Sequence, residues 1–172
     1  MGARLPVAVT TVPYVNEYSN VRINDSIAAV AEQAFAPFSQ MAVGTNATQT
    51  FASTTNTVIT GVTSDLVVPV PSRVVINIAV RCIADVLTTG EGLFISLFRD
   101  AAFVTGAQQV WEPGADTEKA NVAFSWLHED LLPGNTYTYD VRARVFPRTT
   151  GQYVISGTRS TILLTTEARQ RV

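Results

Sequence analysis

The chain holds a single histidine, His128, so any reaction needing a neutral-pH general base falls on it. Glu129 and Asp130 follow it directly. A serine or cysteine within hydrogen-bond reach, with a carboxylate orienting the ring, would make a hydrolytic triad. No nucleophile-elbow sequence presents such a serine. The lone thiol, Cys82, sits inside the apolar run of residues 71–85, where a cysteine is core and inert. His128 is therefore read as a strand-end histidine with a local hydrogen bond, and no catalytic residue is expected.

The carboxylates give no better start. Glu129 and Asp130 are adjacent, and neighbours on a strand point to opposite faces. Asp85, Glu91, Glu112, Asp116 and Glu118 are scattered through predicted loops. Calcium could use such oxygens, but no D-x-D-x-D spacing gathers them. There is no phosphate loop, dinucleotide fingerprint or metalloprotease helix. No cofactor and no metal are expected.

The charges with most to say are Arg142 and Arg144. In a strand over 137–145 they share a face with Asp140, opposite Tyr139, Val141, Ala143 and Val145. One use is a solvent-facing ion pair, worth ~0–1 kcal/mol. The other is a subunit contact, where arginine is enriched and grips carboxylates with its planar fork. A second strand, 73–83, sets Arg81 among Val75, Ala79 and Ile83 on its outer face, which suits a covered surface. Arg142, Arg144, Asp140 and Arg81 are the candidate interface residues.

These strands belong to a chain of 172 residues, 47% hydrophobic and only 15% charged, against a usual charged share of about 25%. Such a chain can bury a real core, and its low charge favours an oligomer or a docked subunit. A net charge of −2 gives no basic field for nucleic acid. One cysteine excludes an internal disulfide framework. No stretch reaches the roughly 18 apolar residues of a spanning helix, and no membrane partner is expected. Pro6, Thr10, Thr11 and Pro13 interrupt the N-terminal apolar patch, against a secretory signal.

The organisation divides near residue 48. Residues 1–48 read as an extended, proline-punctuated arm carrying one short helix in NDSIAAVAEQAFAPF (24–38). Asp25 or Ser26 caps it, Ile27, Val30 and Phe35 line one face, and Pro37 ends it. Such a helix is marginal alone and needs a surface. Val7, Val9, Val12, Tyr14, Ile27, Val30 and Phe35 are the candidate anchoring residues. MAVGTNATQTFASTTNTVITG (41–61) reads as part linker, part first strand.

Residues 49–172 run strand after strand. PSRVVINIAVRCIAD (71–85) and NVAFSWLHED (121–130) alternate with period two. GLFISLFRD (92–100) is apolar on both faces and is predicted to be covered on both. FVTGAQQVWEP (103–113) is a weaker strand with a bulge at Gly106. Turns are expected at Pro133-Gly134-Asn135 and Thr149-Thr150-Gly151. About eight strands without intervening helices predict an all-β sandwich or barrel.

The order LPGNTYTYDVRARV (132–145), GQYVISG (151–157), STILLTT (160–166) resembles the knob domains of phage tail and head fibres. Those in turn are similar to the trimeric jelly roll of tumour necrosis factor and complement heads. The resemblance spans about residues 50–168, and the ending Glu167-Ala168-Arg169-Gln170-Arg171-Val172 departs from the acidic tail of that family. It implies a jelly-roll β-sandwich behind an N-terminal anchoring arm, working non-enzymatically in a virion as capsid decoration, head fibre or collar. Its implied partners are copies of itself, as a homotrimer, and other virion structural proteins such as the major capsid protein. The alternative is a receptor- or glycan-binding knob of a tail fibre, with Trp111 as stacking platform beside Glu112 and Asp116.

Overall fold

The computed structural model describes residues 39–86, 90–147 and 151–168. The helix expected over 24–37 and all seven anchoring candidates lie outside those residues. Nine strands are described: β1 (Ser39–Val43), β2 (Gln49–Phe51), β3 (Thr57–Val67), β4 (Ser72–Val86), β5 (Gly92–Arg99), β6 (Ala102–Trp111), β7 (Lys119–Leu131), β8 (Thr136–Phe146) and β9 (Gln152–Ala168). They form two antiparallel sheets. One runs β1-β9-β4-β7 with β2 also on β9, and the other runs β3-β8-β5-β6. The pairing is nested: β1 and β2 with β9, β3 with β8, β4 with β7, β5 with β6.

Alternation explains the sandwich. Val74, Ile76, Ile78, Val80, Cys82 and Ala84 of β4 turn inward and are buried, as do Leu93, Ile95 and Leu97 of β5 and Tyr139, Val141, Ala143 and Val145 of β8. Residues from both sheets make one core. Each fully buried Leu or Ile contributes ~1.5–3 kcal/mol.

The boundary expected at residue 48 falls between β1 and β2, and both of these pair with β9. Residues 39–43 therefore belong to the sheet rather than to an arm, and Pro37–Val172 group as one unit. The last strands also differ from expectation. Residues 152–168 are one strand, although GQYVISG and STILLTT stand as separate pieces in the sequence. Between Ala79↔Thr161 and Arg81↔Ser156 the register against β4 shifts, so that β9 bulges at Gly157–Ser160. The Ser160 hydroxyl, donating to the Ser156 carbonyl at 2.8 Å, holds the bulge closed.

That bulge explains the uncharged segment near residue 45. β3 has its own irregularity between Val58 and Thr63, with Gly61 at φ +85°. The chain at Gly44–Asn46 passes between the two irregularities. Gly44 N–H donates to Ser160 O (2.9 Å), Thr45 N–H to Thr60 O (3.0 Å), and Thr158 N–H to Asn46 O (3.1 Å). Small residues are required where three backbones approach this closely.

Candidate functional site

The Arg-bearing strand β8 lies between β3 and β5, and its outward side chains meet those of β5. Asp140 pairs with Phe98, Arg142 with Ser96, and Arg144 with Phe94. Arg142 reaches along its own strand to Asp140, with Nε–Oδ1 at 2.5 Å and Nη2–Oδ2 at 2.9 Å. The Arg142 side chain is 20% exposed and that of Asp140 8%, so this is no solvent-screened pair. The bond to Asp140 holds the Arg142 proton more firmly than usual. The Arg142 guanidinium carbon also lies 4.1 Å from the Phe98 ring centroid. Arg144 repeats the contact over Phe94 at 4.2 Å, and Phe146 packs on the same ring at 4.2 Å between centroids.

The expectation that GLFISLFRD is covered on both sides thus has a specific cause. Leu93, Ile95 and Leu97 face the core, while Phe94 and Phe98 are roofed by arginines from β8. Cation–ring contacts and aliphatic stems let a charged side chain cover apolar surface. Around this roof Val58, Phe103 and Val110 stay partly exposed. Phe103 and Val110 lie opposite Phe98 and Phe94 on β6, and Val58 lies opposite Arg142 on β3.

Arg81 is elsewhere. It lies on the outer face of the other sheet, where its Nη1 donates to Asn121 Oδ1 at 3.1 Å. Asp140, Arg142 and Arg144 are brought together, and Arg81 cannot share their patch. Arg81's own face carries a shallow depression of about 400 Å³ over Asn77, Ala79, Ala123, Ser125 and Thr161, with Met41 at its rim.

His128 makes the local hydrogen bonds expected of it. Its Nε2 accepts from Arg99 Nη1, which leaves Nδ1 carrying the proton towards Tyr139 Oη at 2.5 Å. Burial, and then the Arg99 charge, hold the His128 pKa below its usual value. Burial drives the Tyr139 hydroxyl upward. Glu129 and Asp130 do not follow simple alternation. The β4–β7 register shifts between Ser72↔Leu131 and Val74↔His128, and Asp130 takes φ +63°. Among the described residues, no three His, Cys, Asp or Glu side chains gather closely enough to hold a metal.

Trp111 is not the platform that the glycan-binding alternative requires. It is 9% exposed, belongs to the core, and meets Tyr153 edge-on at 6.0 Å. Its period-two position, on the same face as Leu93 opposite it, was the signal for burial. Sequence reasoning also missed Phe94 and Phe98 as partners of the arginines, because the pairing of β5 with β8 joins segments about forty residues apart. No known protein family matches the chain, and no curated protein matches it.

Proposed function

We propose that the chain is a non-enzymatic structural protein of a phage-type virion, a jelly-roll knob that assembles as a homotrimer and is held to the particle through its N-terminal region. The nested strand pairing supports the jelly-roll reading, since winding one long antiparallel ribbon into two sheets gives that order. The resemblance of residues 132–166 to fibre knobs supports the virion setting, with capsid decoration, head fibre or collar as its place.

The observation that carries the assembly reading is the outer face of β3-β8-β5-β6. Its arginines lie over phenylalanines, Asp140 is paired within the strand, Asp65 on β3 accepts from the Thr138 hydroxyl at 2.6 Å, and Phe103, Val110 and Val58 are left partly open. Arginine and aromatic side chains are enriched at an interface centre. The glycan-knob alternative loses the platform assigned to Trp111.

Light scattering of the full chain over a concentration series tests this. The expected result is a trimer mass that falls to monomer in Val110→Glu and Arg144→Glu and stays trimeric in Arg81→Ala. A monodisperse wild-type monomer would overturn the trimer. Labelling of purified particles by an antiserum against the chain tests the virion setting, and particles free of label would sink it.

A further inference from the structure

The two sheets each end in a strand on the same side of the sandwich, β7 for one and β6 for the other. Between them is a cleft of about 340 Å³ lined by Arg99, Ala102, Phe103, Val104, Thr105 and Trp126. That volume is near the lower end for small-molecule sites, room for one ring rather than a peptide. Gly106 keeps it open. The residue takes φ +81°, and a Cβ there would sit 3.4 Å from Trp126 Cη2. The absent side chain leaves the outer ring of the Trp126 indole unroofed.

Arg99 is built into this wall. Its Nη1 donates to His128, whose other nitrogen meets Tyr139 Oη. Its Nε is 3.8 Å from Asp100 Oδ2. The turn that follows is pinned, since Asp100 N–H donates to Thr138 O at 2.8 Å and Thr138 N–H donates to Asp100 Oδ1 at 2.9 Å. Both turn residues, Asp100 and Ala101, are left-handed, at φ +50° and +65°. The Arg99 side chain is nonetheless 43% exposed. A guanidinium fixed on one side and open on the other is a preorganised carboxylate receptor.

We propose that this cleft binds one carboxylated sugar ring, a uronic-acid-type pyranose. The apolar C–H face of the ring lies against Trp126 and Phe103, a ring hydroxyl meets Thr105, and the carboxylate takes the open side of Arg99. Asp100, so near Arg99, disfavours a dianionic phosphate and tolerates a singly charged planar acid. Phe103 borders both this cleft and the assembly surface proposed above, but the sugar test reads the Trp126 signal and the assembly test reads mass, so either reading can fail without the other.

The test is the indole N–H region of the protein NMR spectrum, where the two tryptophans give separate signals. Methyl glucuronide added to the full chain is expected to shift the Trp126 signal, assigned by Trp126→Phe, with a dissociation constant on the order of 1 mM. Methyl glucoside, lacking the carboxylate, binds at least about tenfold more weakly, as does glucuronide to Arg99→Lys. Thr105→Glu, which adds a carboxylate at an exposed position, abolishes the shift and leaves the rest of the spectrum folded. No shift with glucuronide, equal shifts with the glucoside, tighter binding of inorganic phosphate, or binding unaffected by Thr105→Glu would each overturn the proposal.

Discussion

Arg142 lies over Phe98 at 4.1 Å while both its fork nitrogens hold Asp140, so one side chain roofs an apolar ring and neutralises a nearly buried acid. The pair is less than a quarter exposed on either side, which separates it from surface ion pairs that contribute little. Arg142→Ala removes the roof and strands the Asp140 carboxylate. It should lower stability by about 2–4 kcal/mol. Arg142→Ala together with Asp140→Ala should cost less than the single change. Urea unfolding midpoints check this, and additive losses would mean that the pair is not coupled.

The hairpin turn between β5 and β6 has two residues, Asp100 and Ala101, and Arg99 pairs with Ala102 across it. Both turn residues have positive φ, which aspartate tolerates and alanine does not. Ala101→Gly should therefore raise stability, by up to ~1 kcal/mol after the extra unfolded-state entropy of glycine. An unchanged or lower midpoint would show that the left-handed turn carries no strain.

Gly157 meets the Asn46 backbone where the β9 bulge touches the 44–46 segment, and a Cβ there would collide with the Asn46 carbonyl. Neither backbone can retreat, because Thr158 N–H is bonded to that same carbonyl. Gly157→Ala should cost about 2 kcal/mol or more. Gly134, at φ +77° with open space around it, serves as the control. Gly134→Ala should cost only the conformational term, ~1 kcal/mol. Thermal unfolding of the two variants gives the comparison, and equal losses would refute the clash.

How far this could be read from the sequence depends on the range of each interaction. Alternation is local, so the inward faces of 74–84 and 139–145 follow from side-chain type alone, whereas 92–100, apolar on both faces, gives no inward side by type. The bulge at Gly106 was legible too, since glycine in a strand pattern marks one, and the β5–β6 register does shift between Ser96 and Phe98. The bulge at Gly157–Ser160 was not, because Ser-Gly-Thr-Arg-Ser reads equally as a turn. What settles it is the pair of backbone bonds that Gly44 N–H and the Asn46 carbonyl bring from more than a hundred residues away. The arginine face was half legible: type and alternation placed Arg142 and Arg144 outward beside Asp140, but the phenylalanines beneath them needed the β5–β8 pairing. Arg81 and Arg142 look alike in sequence, and only sheet membership puts them on opposite sides of the sandwich.

Cys82 faces the core from β4 and is fully buried. Burial pushes its thiol up to about 12, so thiolate is scarce at any pH the fold experiences. A disulfide-exchange reagent at pH 8 should leave it untouched in the native chain and modify it at once in urea. Fast modification of the native chain would mean that β4 opens at that point.

The His128 cluster predicts how stability responds to acid. Burial and the Arg99 charge lower the folded-state pKa, while Asp100 and Asp130 pull the other way without prevailing. Below pH ~6.5 the unfolded chain takes up a proton on this residue that the folded chain refuses. The unfolded state then binds more protons, so stability rises with pH through this window. The contribution is whole above the unfolded pKa and is lost as pH falls from about 6.5 towards the folded value. Protonation also turns the Nε2 acceptor into a donor facing the Arg99 guanidinium. His128→Gln removes the titration while keeping an acceptor for Arg99. Its stability should therefore fall less than that of the wild type between pH 7 and pH 5, as urea midpoints at each pH would show. Parallel pH profiles for the two proteins would mean that His128 titrates alike in both states and that Arg99 does not restrain it.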